Sequence, residues 1–139
     1  MTWTHDDGGR ASAGFRGEAG DCVTRAIAIA TGRPYRDVYD ALFDKARARR
    51  LKGREASPRD GVPRKVYDPY LESLGWTWTP TMQIGRGCTV HLRADELPAG
   101  RIIARLSRHL CAVIDGVVHD TFDPSRDGTR CVYGYWKED

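Results

Sequence analysis

The sequence predicts an α+β domain, and three observations carry that expectation. Residues 21–32 form a run that is apolar nearly all round, as a helix packed on more than one side requires. The second half of the chain consists of short segments rich in Val, Ile, Tyr and Trp separated by turn residues. Two of these segments flank Asp115-Gly116, a strong short-range signal for a β-hairpin. Helices first and antiparallel strands after make an α+β arrangement.

Each element follows from local chemistry. The first twenty residues, rich in Gly, Asp and Ala, show no apolar period, and 1–19 is expected to be an irregular lead-in. Asp21 is a good N-cap and Gly32 a good stop, which puts Cys22 in the first turn of a buried helix. Pro34 opens a second helix with Tyr35, Val38, Tyr39, Ala41 and Leu42 as its apolar stripe. That helix runs into residues 45–54, where six of ten side chains are basic. Residues 53–63 read as a polar loop. Asp68-Pro69 looks like a cap and first helical position, with Tyr70, Leu71 and Leu74 apolar and Gly75 ending the helix. Trp76-Thr77-Trp78-Thr79 alternates as a strand until Pro80. Strands are expected at 101–107, 109–114, 117–122 and 131–136.

The chain of 139 residues fits one domain, 1–139, with a net charge of +3. No stretch approaches ~18 uninterrupted apolar residues, so no membrane helix is expected. The N-terminus lacks the basic and apolar regions of a secretory signal. Cys22, Cys88, Cys111 and Cys131 are widely scattered, and a reduced, cytoplasmic chain is the expectation. Asn is absent, and Gln83 is the only Gln.

A thiol is a useful nucleophile only as thiolate, and a helix N-terminus favours that charge. Cys22 occupies such a position. It also needs a base and a group that orients the base. His109 opens a strand, and the next strand delivers Asp120 and Asp123. With Asp115-Gly116 as a two-residue loop, Ile114 faces Val117, Cys111 faces Asp120, and Asp120 lies diagonal to His109 within side-chain reach. A one-residue slip or a bulge would exchange Asp120 for Asp123.

This order resembles the papain-like cysteine peptidase superfamily: Cys at the start of a buried helix, His opening an antiparallel strand, an acidic or amide residue one strand on. Asp120-Thr121-Phe122 looks like the papain-like pattern, in which a hydroxyl residue and an imidazole-shielding aromatic follow the third member. Asp123-Pro124-Ser125 looks instead like the aspartate motif of transglutaminase-like members. The run 108–123 is similar to small bacterial and phage papain-like domains. The resemblance implies a Cys-bearing helix packed on a C-terminal antiparallel sheet. It also implies a hydrolase or acyltransferase acting on a peptide, isopeptide or related acyl bond, with no cofactor and no metal. Papain-like enzymes usually carry a Gln upstream of the Cys as an oxyanion donor, and this chain has no Gln or Asn there. The backbone N–H of Cys22 is the expected donor, with Ser12, Arg16 or Thr24 as candidate partners.

Other readings of the same residues are plainer. Cys111 and Cys131 fit strand core positions. Cys88 and His91 form a single close pair, which Cys111, His119 or Cys131 would have to complete into a zinc site, whereas structural zinc sites use paired clusters. The basic run 45–54 would suit phosphates, yet a solvated helix end explains it equally, so nucleic acid is not the expected partner. A papain-like binding module without turnover, contacting a protein or nucleic acid through that basic end, is the competing class.

Overall fold

The computed structural model describes residues 1–16, 20–48, 57–59 and 61–138. These form a mixed α/β structure. The elements are β1 (Thr2–His5), α1 (Cys22–Thr31), α2 (Tyr35–Ala48), α3 (Arg64–Ser73), β2 (Trp76–Pro80), β3 (Arg101–Leu106), β4 (His109–Ile114), β5 (Val117–Asp120) and β6 (Gly134–Glu138). The strands make one sheet in the order β1-β5-β4-β3-β6-β2. All neighbours are antiparallel except β1, which runs parallel to β5. The sheet is therefore mixed, against the expected antiparallel one. The lead-in is also corrected: its first residues pair with β5, with His5 opposite Asp120.

Alternation of side chains along β3 and β4 gives the sheet two buried faces. Ile103, Leu110, Ala112 and Trp136 pack with α1, α2 and α3 on one face. Ile102, Ala104, Leu106, Cys111, Val113 and Val118 pack with Leu92 and Val132 on the other. No helix covers that second face among the described residues, and the irregular segment around Leu92 does so instead. Cys88 and Cys131 form a disulfide that ties this segment to the chain leading into β6. The two were expected to be unpaired, and Cys131 to be a core strand residue. It is only half-buried and outside β6, which begins at Gly134. Cys111 is a core residue, as expected.

The β4–β5 hairpin has the register that the two-residue loop requires, with Ile114 opposite Val117, Val113 opposite Val118 and Ala112 opposite His119. Asp115 and Gly116 both have positive φ, 48° and 80°, as a type I′ turn demands. β5 ends at Asp120 rather than at Phe122. Helix α3 starts at Arg64, not at Asp68, and carries Pro69 inside it. A proline there costs ~3 kcal/mol, and burying Val66, Tyr67, Tyr70 and Leu71 at ~1.5–3 kcal/mol each outweighs it. Asp68 instead pairs with Arg64 and Arg105. No helix of the described residues is long and apolar enough to cross a membrane.

Candidate active site

His109 is the first residue of β4 and Asp120 the last of β5. An antiparallel pair puts those two positions at the same end of the sheet. Helix α1 packs across the sheet with its first residue, Cys22, at that end. The imidazole Nε2 of His109 lies 2.6 Å from Asp120 Oδ2. This leaves Nδ1 as the ring nitrogen available to the Cys22 thiol, which interacts electrostatically with the imidazole. Phe122 packs on the imidazole with ring centroids 5.1 Å apart. Thr121 N–H donates to Asp120 Oδ1 at 2.7 Å, fixing the carboxylate.

Asp123 is not part of this cluster. Its Oδ1 accepts the Ser125 N–H at 2.9 Å, a local turn across two residues. Of the four residues singled out in the sequence, His109 and Asp120 bond each other, Cys22 interacts electrostatically with His109, and Asp123 bonds within its own turn.

Burial by itself raises the Cys22 thiol pKa. The hydrogen bond and charge of His109, the Leu110 N–H and the charge of Arg25 outweigh it and hold the thiol below its ordinary value. For His109 burial works the other way, yet its hydrogen bonds to Asp120 and Cys22 push the imidazole up to about 9. The two shifts share a cause, since each group favours the charged form of the other. The other free thiol, Cys111, is pushed up by burial.

Sequence reasoning missed Arg25. It is 7% exposed, one turn into α1, and its guanidinium bonds both Asp21 and Asp120, the latter at 3.3 Å. Asp21, 1% exposed, also accepts from Tyr35 Oη at 2.5 Å and pairs with Arg10 at 3.5 Å. The carboxylate of Asp21 makes no cap bond to the helix, which corrects its expected role. The signal was present: a single arginine in an apolar helix needs a buried counter-charge. The N-terminal strand contributes as well. Trp3 Nε1 and the Asp6 N–H both donate to the Asp120 carbonyl, at 3.1 and 2.9 Å.

Of the candidate side-chain oxyanion donors, Thr24 directs its hydroxyl to the Pro58 carbonyl at 3.2 Å, and Ser12 and Arg16 are exposed. The residues weighed as zinc ligands are otherwise engaged, with Cys88 and Cys131 bonded to each other and His91 beside Glu96. Among the described residues no group of three or more His, Cys, Asp or Glu could hold a metal ion. In the basic run, Lys45 and Arg47 lie over the rings of Tyr70 and Phe43, and residues 49–54 fall outside the described residues. Compared with known proteins, the chain matches no family model, no curated protein and no solved structure.

Proposed function

We propose that this chain is a papain-like cysteine hydrolase or acyltransferase acting on an amide or related acyl bond. Cys22 is the nucleophile, His109 moves the proton, and Asp120 orients the imidazole. The observation that carries this reading is the bond from the His109 imidazole to the Asp120 carboxylate, with the Cys22 thiol, first residue of a buried helix, in electrostatic interaction with the same ring. In the proposed cycle the Cys22 thiolate adds to the acyl carbon, and the oxyanion takes the backbone N–H of Cys22. His109 then gives its proton to the leaving amine as the C–N bond breaks, leaving a thioester. Neutral His109 takes a proton from water, or from an acceptor amine, which attacks the thioester and releases the Cys22 thiolate.

The geometry favours Asp120 over Asp123 in the orienting role, since only Asp120 bonds the imidazole. A papain-like binding module without turnover is the second reading. It rests on the engagement of Thr24 and on the absence of Gln and Asn before Cys22, which leave the oxyanion with few donors.

Iodoacetamide labelling tests the nucleophile. Preferential reaction at Cys22 is not decisive, because Cys111 is 1% exposed and the other two cysteines are bonded to each other. The pH profile is. A lowered thiol pKa puts more of Cys22 in the thiolate form at neutral pH, so its rate should rise with pH well before an ordinary thiol's. In His109→Ala that rise should move up by one pH unit or more, lowering the neutral-pH rate about tenfold. An ordinary thiol profile in the wild type, or a profile unmoved by His109→Ala, rejects the reading.

A further inference from the structure

Beside His109 opens a depression of about 490 Å³, lined by Ser107, Arg108, His109, Phe122, Arg126 and Arg130. Three guanidiniums line it and no carboxylate does. Arg130 is anchored to backbone, its Nη2 donating to the Ser107 carbonyl at 2.7 Å and its Nη1 to that of Pro124 at 3.5 Å. Burial and the charge of Arg126 both lower the Arg130 pKa, so the two cations strain against each other. Arg108 and Arg126 are exposed, and neither forms an ion pair among the described residues.

The backbone holds these arginines in place. Arg108 sits in the tight β3–β4 turn at φ 56°, and Arg126 in the turn after Pro124 at φ 50°. Left-handed backbone is unfavourable for arginine, so the surrounding turns impose it. Around Arg126 the Gly128 and Arg130 N–H groups both donate to the Ser125 carbonyl at 3.0 Å. Cations gathered on one face of a fixed frame suit an anion, and the guanidinium fork matches a carboxylate.

We propose that this depression receives a carboxylate carried by the leaving-group half of the substrate, so that the preferred scissile amides join an acyl group to an amino acid or short peptide with a free carboxylate. This rests on the proposed role of His109. The imidazole must meet the leaving amine to protonate it, so a group seated against the His109 wall belongs to that half. The half-exposed ring of Phe122, 48% exposed, offers an apolar surface for the rest of the leaving group.

The test compares two alkylating reagents of equal length, chloroacetyl-glycine and its uncharged analogue chloroacetyl-glycinamide. In both, the Cys22 sulfur bonds the methylene carbon and chloride leaves. At low ionic strength the carboxylate reagent should label Cys22 about tenfold faster, as expected of one charge-assisted contact. An imidazolium alone also attracts anions, so the decisive quantity is the rate ratio in Arg108→Asn and Arg126→Asn. Asn tolerates the left-handed backbone, which keeps the turns while removing the charge. The ratio should fall several-fold in each variant and further in the double variant, where only Arg130 and the imidazolium remain to attract the carboxylate. A ratio that the variants leave unmoved overturns the carboxylate site alone. Failure of the uncharged reagent to label wild-type Cys22 with a thiolate-like pH profile overturns instead the functional reading beneath it.

Discussion

Arg25 stands in an apolar helix because two buried carboxylates, Asp21 and Asp120, share its guanidinium. Removing the arginine leaves two buried carboxylates without their shared counter-charge in a low-dielectric interior. Arg25→Met should therefore cost ~3–5 kcal/mol in urea unfolding. Asp123→Ala removes a single turn bond, and should cost about 1 kcal/mol. Equal costs would show that the buried ion group does not hold the site together. Because the charge of Arg25 also helps lower the Cys22 thiol, Arg25→Met should shift the Cys22 labelling profile to higher pH. The choice between Asp120 and Asp123 needed a register that a single bulge could have changed. The role of Arg25 was legible only as an anomaly, a charge where the helix pattern allows none.

At the scale of elements, the turn chemistry of Asp115-Gly116 is local, so the register of β4 against β5 could be derived before any tertiary contact was known. Helix α3 shows the converse. Asp68-Pro69 has the form of a helix start, but the buried stripe of Val66, Tyr67, Tyr70 and Leu71 extends the helix through it. The edge of the sheet depends on Gly134 in β6. A Cβ there would lie 2.3 Å from the Trp78 ring and 2.8 Å from the Thr79 carbonyl oxygen, both in β2. Trp78 is held in turn between Trp136 and the guanidinium of Arg105, 4.3 Å from its ring. Gly134→Ala should therefore displace β2 and cost ~1–3 kcal/mol, read as a lower urea midpoint. An unchanged midpoint would mean that β2 can move aside freely.

At the scale of the molecule, three helices among the described residues cover one face of the sheet, while the other face is closed by an irregular segment that the Cys88–Cys131 bridge secures. The bridge spans a sequence separation of 43, and closing such a loop restricts the unfolded chain. The chain-entropy account gives about 4 kcal/mol, so Cys88→Ser with Cys131→Ser should lower the urea midpoint substantially, as should reductant on the wild type. A midpoint insensitive to reductant would remove the bridge from the account of stability. By itself the sequence determined the helix and strand periods, the hairpin register and the position of Cys22 at a helix start, because each depends on residues a few places apart. The tertiary structure decided the pairing of Cys88 with Cys131, the strand made by residues 2–5, the bond from Arg25 to Asp120 and the gathering of Arg108, Arg126 and Arg130. Those contacts join residues distant in the chain, and only packing the helices and loops onto the sheet brings them together.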